Sequence, residues 1–233
     1  MKKISVNGID IYPFSDKSEV IRFVNDNEKG ILIAINAEKI LHSTEDMRKI
    51  INRSIGYCDG IGAVMALQKK GYKNVRKIPG CELWIDIVKA FYKQKTFYLI
   101  GGQQGIIEST VTKLKYTFEG INIIGYRNGY IESDVEKENL ISDITDKKPD
   151  IVFVAMGSPK QEFLMDELYN RYPAIYQGLG GSFDVFTGYA KRAPKWWIEH
   201  RLEFAYRLIK QPSRIKRQIH LIKFWFMIQL ERF

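Results

Sequence analysis

The chain has 233 residues, 45% of them apolar, and a formal net charge of +9. That length and apolar content suffice for a sizeable core and argue against disorder. Two cysteines, Cys58 and Cys81, in no CxxC or Cys/His cluster, exclude a disulfide framework, offer no metal signature and fit a reducing cytoplasm.

The amino-terminal MKKISVNGIDIY lacks the apolar stretch of a signal peptide, and no run reaches the roughly 18 to 20 apolar residues of a spanning helix, so the chain is expected not to cross a membrane. Ile4 to Ile11 reads as a short strand pair around Asn7-Gly8, and Val20 to Asn27 as one or two helical turns. GILIAI at 30–35 is the first convincing core strand. It ends at Asn36, after which Ile40, Leu41, Met47, Ile50 and Ile51 predict a helix to about Asn52. Asn36 at a strand's carboxyl end is either a helix cap or a ligand contact.

Cys58-Asp59-Gly60-Ile61-Gly62 precedes a helix over 63–70. Asp59 reads as that helix's N-cap, or as a carboxylate beside two glycines that let a substrate approach closely. Pro79-Gly80 turns the chain into a helix over 83–92, and a strand at 96–100 opens into Gly101-Gly102-Gln103-Gln104-Gly105. This loop lacks both the full GxGxxG spacing and a following GK[ST], so it reads as a tight strand-to-helix turn. A strand at 121–126 and a polar helix from about Asp134 to Asp146 follow.

The organising stretch is IVFVAMGSPKQEF at 151–163. Ile151 to Ala155 is an unbroken apolar run, as in a strand covered on both faces. Ser158 as N-cap, Pro159 at the first helical position and Gln161 at the third predict a helix starting at Ser158. Its N-terminus at a sheet's carboxyl edge is a phosphate site or an ordinary capped turn. A strand at 174–179 runs into Gly180-Gly181-Ser182-Phe183-Asp184. Strands alternating with helices through 30–180 predict an α/β fold with a mainly parallel, doubly wound sheet.

Beyond Phe186 the character changes. Residues 191–233 hold eleven Lys/Arg against three acids, which leaves +1 for residues 1–190. The segment 215–233 mixes Lys216, Arg217 and Lys223 with Ile219, Leu221, Phe224, Trp225, Phe226 and other apolar residues. It reads as an amphipathic cationic helix for an anionic membrane surface, or as a helix packed on the domain. Two domains are expected, a catalytic core over 1–190 and a basic, helical appendage over 191–233.

AMGSPKQE at 155–162, GGSFDVFTGYAKRAP at 180–194 and YRLIKQPSRIKRQ at 206–218, with INAEK at 35–39, CDGIG at 58–62 and Pro79-Gly80, resemble the WecG/TagA/CpsF family of bacterial glycosyltransferases. The motifs occur in series over nearly the whole chain. The resemblance implies a Rossmann-like core that transfers an N-acetylmannosamine-type sugar from a UDP donor to undecaprenyl-diphosphate-linked GlcNAc at the cytoplasmic face of the inner membrane. Within the family the motifs look more like the WecG branch, which transfers N-acetylmannosaminuronic acid for enterobacterial common antigen. The TagA branch, which uses N-acetylmannosamine for teichoic acid linkage, is the alternative.

Carried over by position, Asp59 matches the family's general base, which takes the proton of the acceptor hydroxyl as it attacks the anomeric carbon with inversion. Asn36 and Gln161 match positions lining the donor site, and Arg207, Arg214 and Arg217 match arginines that hold diphosphate in place of a metal. Ala34 stands where some relatives carry Thr. Lys77 stands where Arg usually precedes the Pro-Gly turn, giving a point charge without the bidentate fork, with Arg76 beside it as a substitute. No DxD motif or His/Cys/carboxylate cluster is visible, His42, His200 and His220 are scattered, and neither metal nor cofactor is expected. The expected partners are the UDP-sugar, the lipid-diphosphate acceptor and the anionic membrane surface, and a homo-oligomer stays open. Nucleic acid is not expected, since the first 190 residues carry little net charge and no RNA- or DNA-binding signature appears. A non-catalytic membrane adaptor would account for the basic tail but has no need of Asp59 beside two glycines.

Overall fold

The structure, a computed structural model, describes residues 1–190 together with Pro194, Trp196, Trp197, Tyr206 and Phe224. The chain opens with an antiparallel hairpin, β1 (Ile4–Val6) and β2 (Ile9–Ile11). Asn7 (φ 49°) and Gly8 (φ 75°) occupy its two turn positions, the left-handed pair that a two-residue hairpin needs.

After α1 (Lys17–Asn27) come β3 (Gly30–Ile35), α2 (Ala37–His42), α3 (Glu45–Arg53), β4 (Ile55–Cys58), α4 (Ile61–Lys69), α5 (Gly80–Phe91), β5 (Thr96–Gly101) and α6 (Gln104–Thr117). Then β6 (Asn122–Arg127), α7 (Asp134–Lys147), β7 (Ile151–Ala155), α8 (Lys160–Arg171), β8 (Ile175–Gly178) and α9 (Ser182–Thr187) complete the described elements. The six strands from β3 to β8 form one sheet in the order β4-β3-β8-β7-β5-β6, with every pair parallel. The fold is therefore α/β with the doubly wound sheet that the alternating pattern predicts.

Alternation within the strands divides the core. Ile31, Ile33, Ile35, Val152, Val154 and Tyr176 face α2, α3, α4, α7 and α8, while Leu32, Phe153, Ala155 and Ile175 face α1, α5, α6 and α9. Each helix turns an apolar stripe inward, such as Leu164, Met165 and Leu168 on α8 and Leu83, Trp84, Ile87, Val88 and Phe91 on α5. β7 is buried at all five positions, as a strand with helices on both faces must be.

The neighbours β3 and β8 send their connections to opposite faces, β3 into α2 and β8 into α9. A doubly wound sheet opens a crevice at such a reversal, outside the carboxyl ends of the strands.

Local chemistry moves several boundaries. The helix expected from Asn36 to about Asn52 is two helices. It stops at Ser43, and Thr44 restarts it by accepting a hydrogen bond from the Met47 N–H at 3.3 Å. α5 begins at Gly80, three residues earlier than its apolar pattern, and the short β4 and α9 carry too few residues to show a period.

α8 begins at Lys160 instead of Ser158, and Ser158 makes no side-chain cap. The Gln161 amide, expected to close a capping box, turns into the core and bonds the β8–α9 turn, so a tertiary partner has displaced the local one. No helix among the described residues is long and apolar enough to cross a membrane.

Candidate active site at the carboxyl edge of the sheet

Asn36 and Asp59 follow directly on the neighbouring strands β3 and β4. The Ile35 carbonyl accepts from the N–H groups of both Asp59 (3.0 Å) and Gly60 (3.2 Å), which folds the β4–α4 turn back over the end of β3. A Cβ on Gly60 would lie 2.9 Å from the Asn36 Cβ, so only glycine lets the two turns meet. The structure thus brings Asn36 and Asp59 together.

Asn36 caps α2, its Oδ1 accepting from the Lys39 N–H at 2.9 Å. This uses the oxygen and leaves the amide NH2 as donor, so the cap and the ligand-contact readings are compatible.

Asp59 does not cap α4, whose N-cap is Gly60 without a side-chain bond. Its Oδ1 instead accepts from the N–H of Gly80, the first residue of α5, at 2.9 Å. A helix N-terminus is a favourable place for a carboxylate, and the bond fixes one oxygen while Oδ2 has no hydrogen bond among the described residues. Gly80 is itself constrained, since a Cβ there would lie 2.8 Å from the Tyr57 hydroxyl.

The Lys77-Ile78-Pro79 segment leads into this helix start. The Ile78 N–H donates to the Cys58 carbonyl at 2.7 Å, which places the exposed Lys77 three residues from the Asp59 partner. Two neighbours in β4 register the Asp59 charge. Burial first, and then the carboxylate, push the Cys58 thiol up to about 12. The same two causes hold the buried Tyr57 hydroxyl well above its ordinary value, and Gln177 on β8 donates to that hydroxyl at 3.4 Å. Cys58 and Tyr57 are therefore neutral walls below the site.

Gln161, on α8, is buried on the same side of the sheet as α2. Its Oε1 accepts from the Gly180 N–H at 2.8 Å, and its Nε2 donates to Glu162 at 3.2 Å. A Cβ on Gly178 would come within 2.6 Å of that Nε2, so the glycine at the end of β8 makes room for the amide. Gln161 therefore shapes the turn after β8 from beneath.

Sequence reading gave no role to Lys39 and Glu162, which the structure pairs at 2.8 Å with little exposure on either side chain. The available signal was that each charge lies next to an element end in a motif already singled out, INAEK and PKQE.

The glycine loop after β5 is a tight turn. A Cβ on Gly101 would collide with the Ala155 carbonyl, and the Gly102 N–H donates to that same oxygen at 3.2 Å.

Phe224 reaches this edge from the carboxyl-terminal segment. It is 1% exposed, and a Cβ on Gly62 would lie 3.0 Å from its ring. For Phe224 the packed arrangement replaces the membrane-facing one, because the slot over Gly62 and Ala37 buries the ring in the core. Arg207, Arg214 and Arg217, with the rest of the proposed membrane helix, lie outside the described residues.

The site therefore offers a carboxylate with one fixed and one open oxygen and an amide donor on the neighbouring turn, at the strand reversal where a doubly wound sheet binds its ligand. The model of the glycosyl transferase WecG/TagA/CpsF family matches residues 4–233. The chain belongs to the WecG/TagA/CpsF family and is a glycosyltransferase, taking a sugar donor and an acceptor.

Proposed function

We propose that the chain transfers N-acetylmannosaminuronic acid from its UDP donor to undecaprenyl-diphosphate-linked GlcNAc, with inversion, at the cytoplasmic face of the inner membrane. The observation that carries this reading is the Asp59 carboxylate, with Oδ1 held by the Gly80 N–H and Oδ2 without a hydrogen bond among the described residues, on a turn that packs against Asn36. A general base needs this combination of a fixed direction and an oxygen free to receive a proton.

In the proposed step the acceptor hydroxyl oxygen forms a bond to the anomeric carbon as the bond to UDP breaks. Its proton passes to Asp59 Oδ2, and UDP leaves with the bonding pair. The Asn36 NH2 and Lys77 contact the donor, and Gln161 supports that side by fixing the turn at Gly180. Arg207, Arg214 and Arg217 from the basic 191–233 segment hold the diphosphate, and the same segment attaches the enzyme peripherally to anionic lipid. Preference for the N-acetylmannosaminuronic donor rests on the motif resemblance to the WecG branch.

The test is UDP release from UDP-N-acetylmannosaminuronic acid and UDP-N-acetylmannosamine side by side, with and without a prenyl-diphosphate-GlcNAc acceptor. Acceptor-dependent release from the first donor is expected. Faster turnover of the second would move the chain to the teichoic-acid branch, and no acceptor-dependent release from either would overturn the reading.

A further inference from the structure

A series of polar contacts links the turn after β8 to the turn after β3, at the strand reversal. The Gly180 N–H donates to Gln161 Oε1 at 2.8 Å, and Gln161 Nε2 donates to Glu162 Oε1 at 3.2 Å. That oxygen also receives Lys39 Nζ at 2.8 Å, and Nζ donates in addition to the Ala34 carbonyl at 2.9 Å. The Lys39 N–H in turn donates to Asn36 Oδ1 at 2.9 Å. One end of the series is the turn after β8 and the other is the turn after β3, the two strands between which the sheet reverses.

Stability alone is a weak reason for such a pair. Replacing a buried ion pair by packed apolar side chains is often neutral or favourable, because burial costs each charge its hydration. Here the arrangement is also incomplete, since Glu162 is fully buried and its Oε2 has no hydrogen bond among the described residues. What an ion pair supplies and an apolar pair does not is direction. Lys39 Nζ can satisfy both the Ala34 carbonyl and Glu162 only while α2 and α8 keep one separation, and Gln161 can reach Gly180 only while Glu162 holds its amide.

We propose that Lys39 and Glu162 are positioning residues for sugar transfer, which set the distance across the crevice between the Asn36 amide and the Gly180 turn. This rests on the reading of the crevice as the donor site. Neither side chain touches substrate; they act through Asn36 and Gln161.

The experiment compares Lys39→Met, Glu162→Gln and the double variant Lys39→Met/Glu162→Leu with wild type. It measures Tm, donor KM and kcat, calorimetric UDP affinity, and amide exchange at Lys39 and Gly180. Each single variant leaves a buried partner uncompensated and should lower Tm. A misplacement on the ångström scale costs up to about 100-fold, so donor KM and the UDP dissociation constant should rise by roughly 10- to 100-fold with a smaller change in kcat. The double variant should recover most of the Tm yet keep the raised KM, and exchange at Lys39 and Gly180 should stay faster than in wild type. Recovery of donor KM and slow exchange together with Tm would overturn the proposal and make the pair purely structural, as would unchanged KM in the single variants. If wild type bound no UDP, the donor-site reading would fail by itself, and exchange at Lys39 and Gly180 would still decide whether the pair ties the two turns.

Discussion

Asp59 has two possible duties, fixing the start of α5 and accepting a proton, and two substitutions separate them. Asp59→Asn keeps the size and a carbonyl oxygen that can accept from the Gly80 N–H, the 2.9 Å bond of the native site. Its second atom becomes an NH2 group, which cannot take a proton. Loss of a general base costs about 100- to 10,000-fold in turnover, or about 3 to 5 kcal/mol of transition-state stabilisation. Folding should change far less, because the helix-start hydrogen bond survives. Asp59→Ala removes base and acceptor together, and an N-terminal helix donor left without its side-chain partner costs about 1 kcal/mol. For a chain of this length, that is a fall in Tm of roughly 2 to 4 °C. The assays are acceptor-dependent UDP release, UDP affinity by calorimetry and thermal melts of the three proteins. The expected pattern is that both variants lose turnover, both bind UDP, and only Asp59→Ala melts early. Near wild-type turnover in Asp59→Asn, with destabilisation confined to Asp59→Ala, would refute the base assignment and leave Asp59 as a cap of α5.

Since the sequence carries no DxD motif, turnover should survive excess EDTA; loss of activity restored by magnesium or manganese would sink the assignment of diphosphate to arginines. Phe224→Ala empties a buried aromatic site against Gly62, so about 3 to 5 kcal/mol and roughly 6 to 20 °C of Tm should be lost in vesicle-free buffer, whereas a ring that only entered lipid would leave the melt unchanged. Deleting residues 191–233 removes Phe224 together with the arginines, so the remaining α/β core should melt lower by at least as much as Phe224→Ala and should neither sediment with anionic vesicles nor transfer sugar; full-length turnover by that core would reduce the arginines to surface charge. In alkali, Cys58 has its thiol raised from near 9 to about 12, mainly by burial, and the buried Tyr57 and Tyr176 hydroxyls are raised for the same main reason. Each group holds its proton longer folded than unfolded, so its contribution is complete below the unfolded value and is lost as pH rises toward the folded one. Urea midpoints should therefore fall from about pH 9 upward, and a flat profile between pH 9 and 12 would contradict the burial of these groups.

Periodicity determined what periodicity can carry. The unbroken apolar run of β7, the GILIAI strand and the Asn7-Gly8 hairpin are local patterns, and each forms the element its pattern specifies. Asn36 was legible as a strand-end polar residue, because a polar group following a buried strand must lie at the sheet's edge, whereas Asp59 was legible only as a carboxylate beside two glycines ahead of a helix, the four-residue β4 before it being too short to show a period. What each one bonds was not legible. Asp59 meets Gly80 across 21 residues, and Gln161 abandons its helix start for Gly180 across 19. Lys39 meets Glu162 only because β8 inserts beside β3, and Phe224 fills a slot whose shape is set by the absence of a side chain at Gly62. Hydrophobic patterning is read from neighbours three or four residues apart. The choice of polar partner depends on strand order and on which glycines leave space, and those are decided when the whole sheet packs.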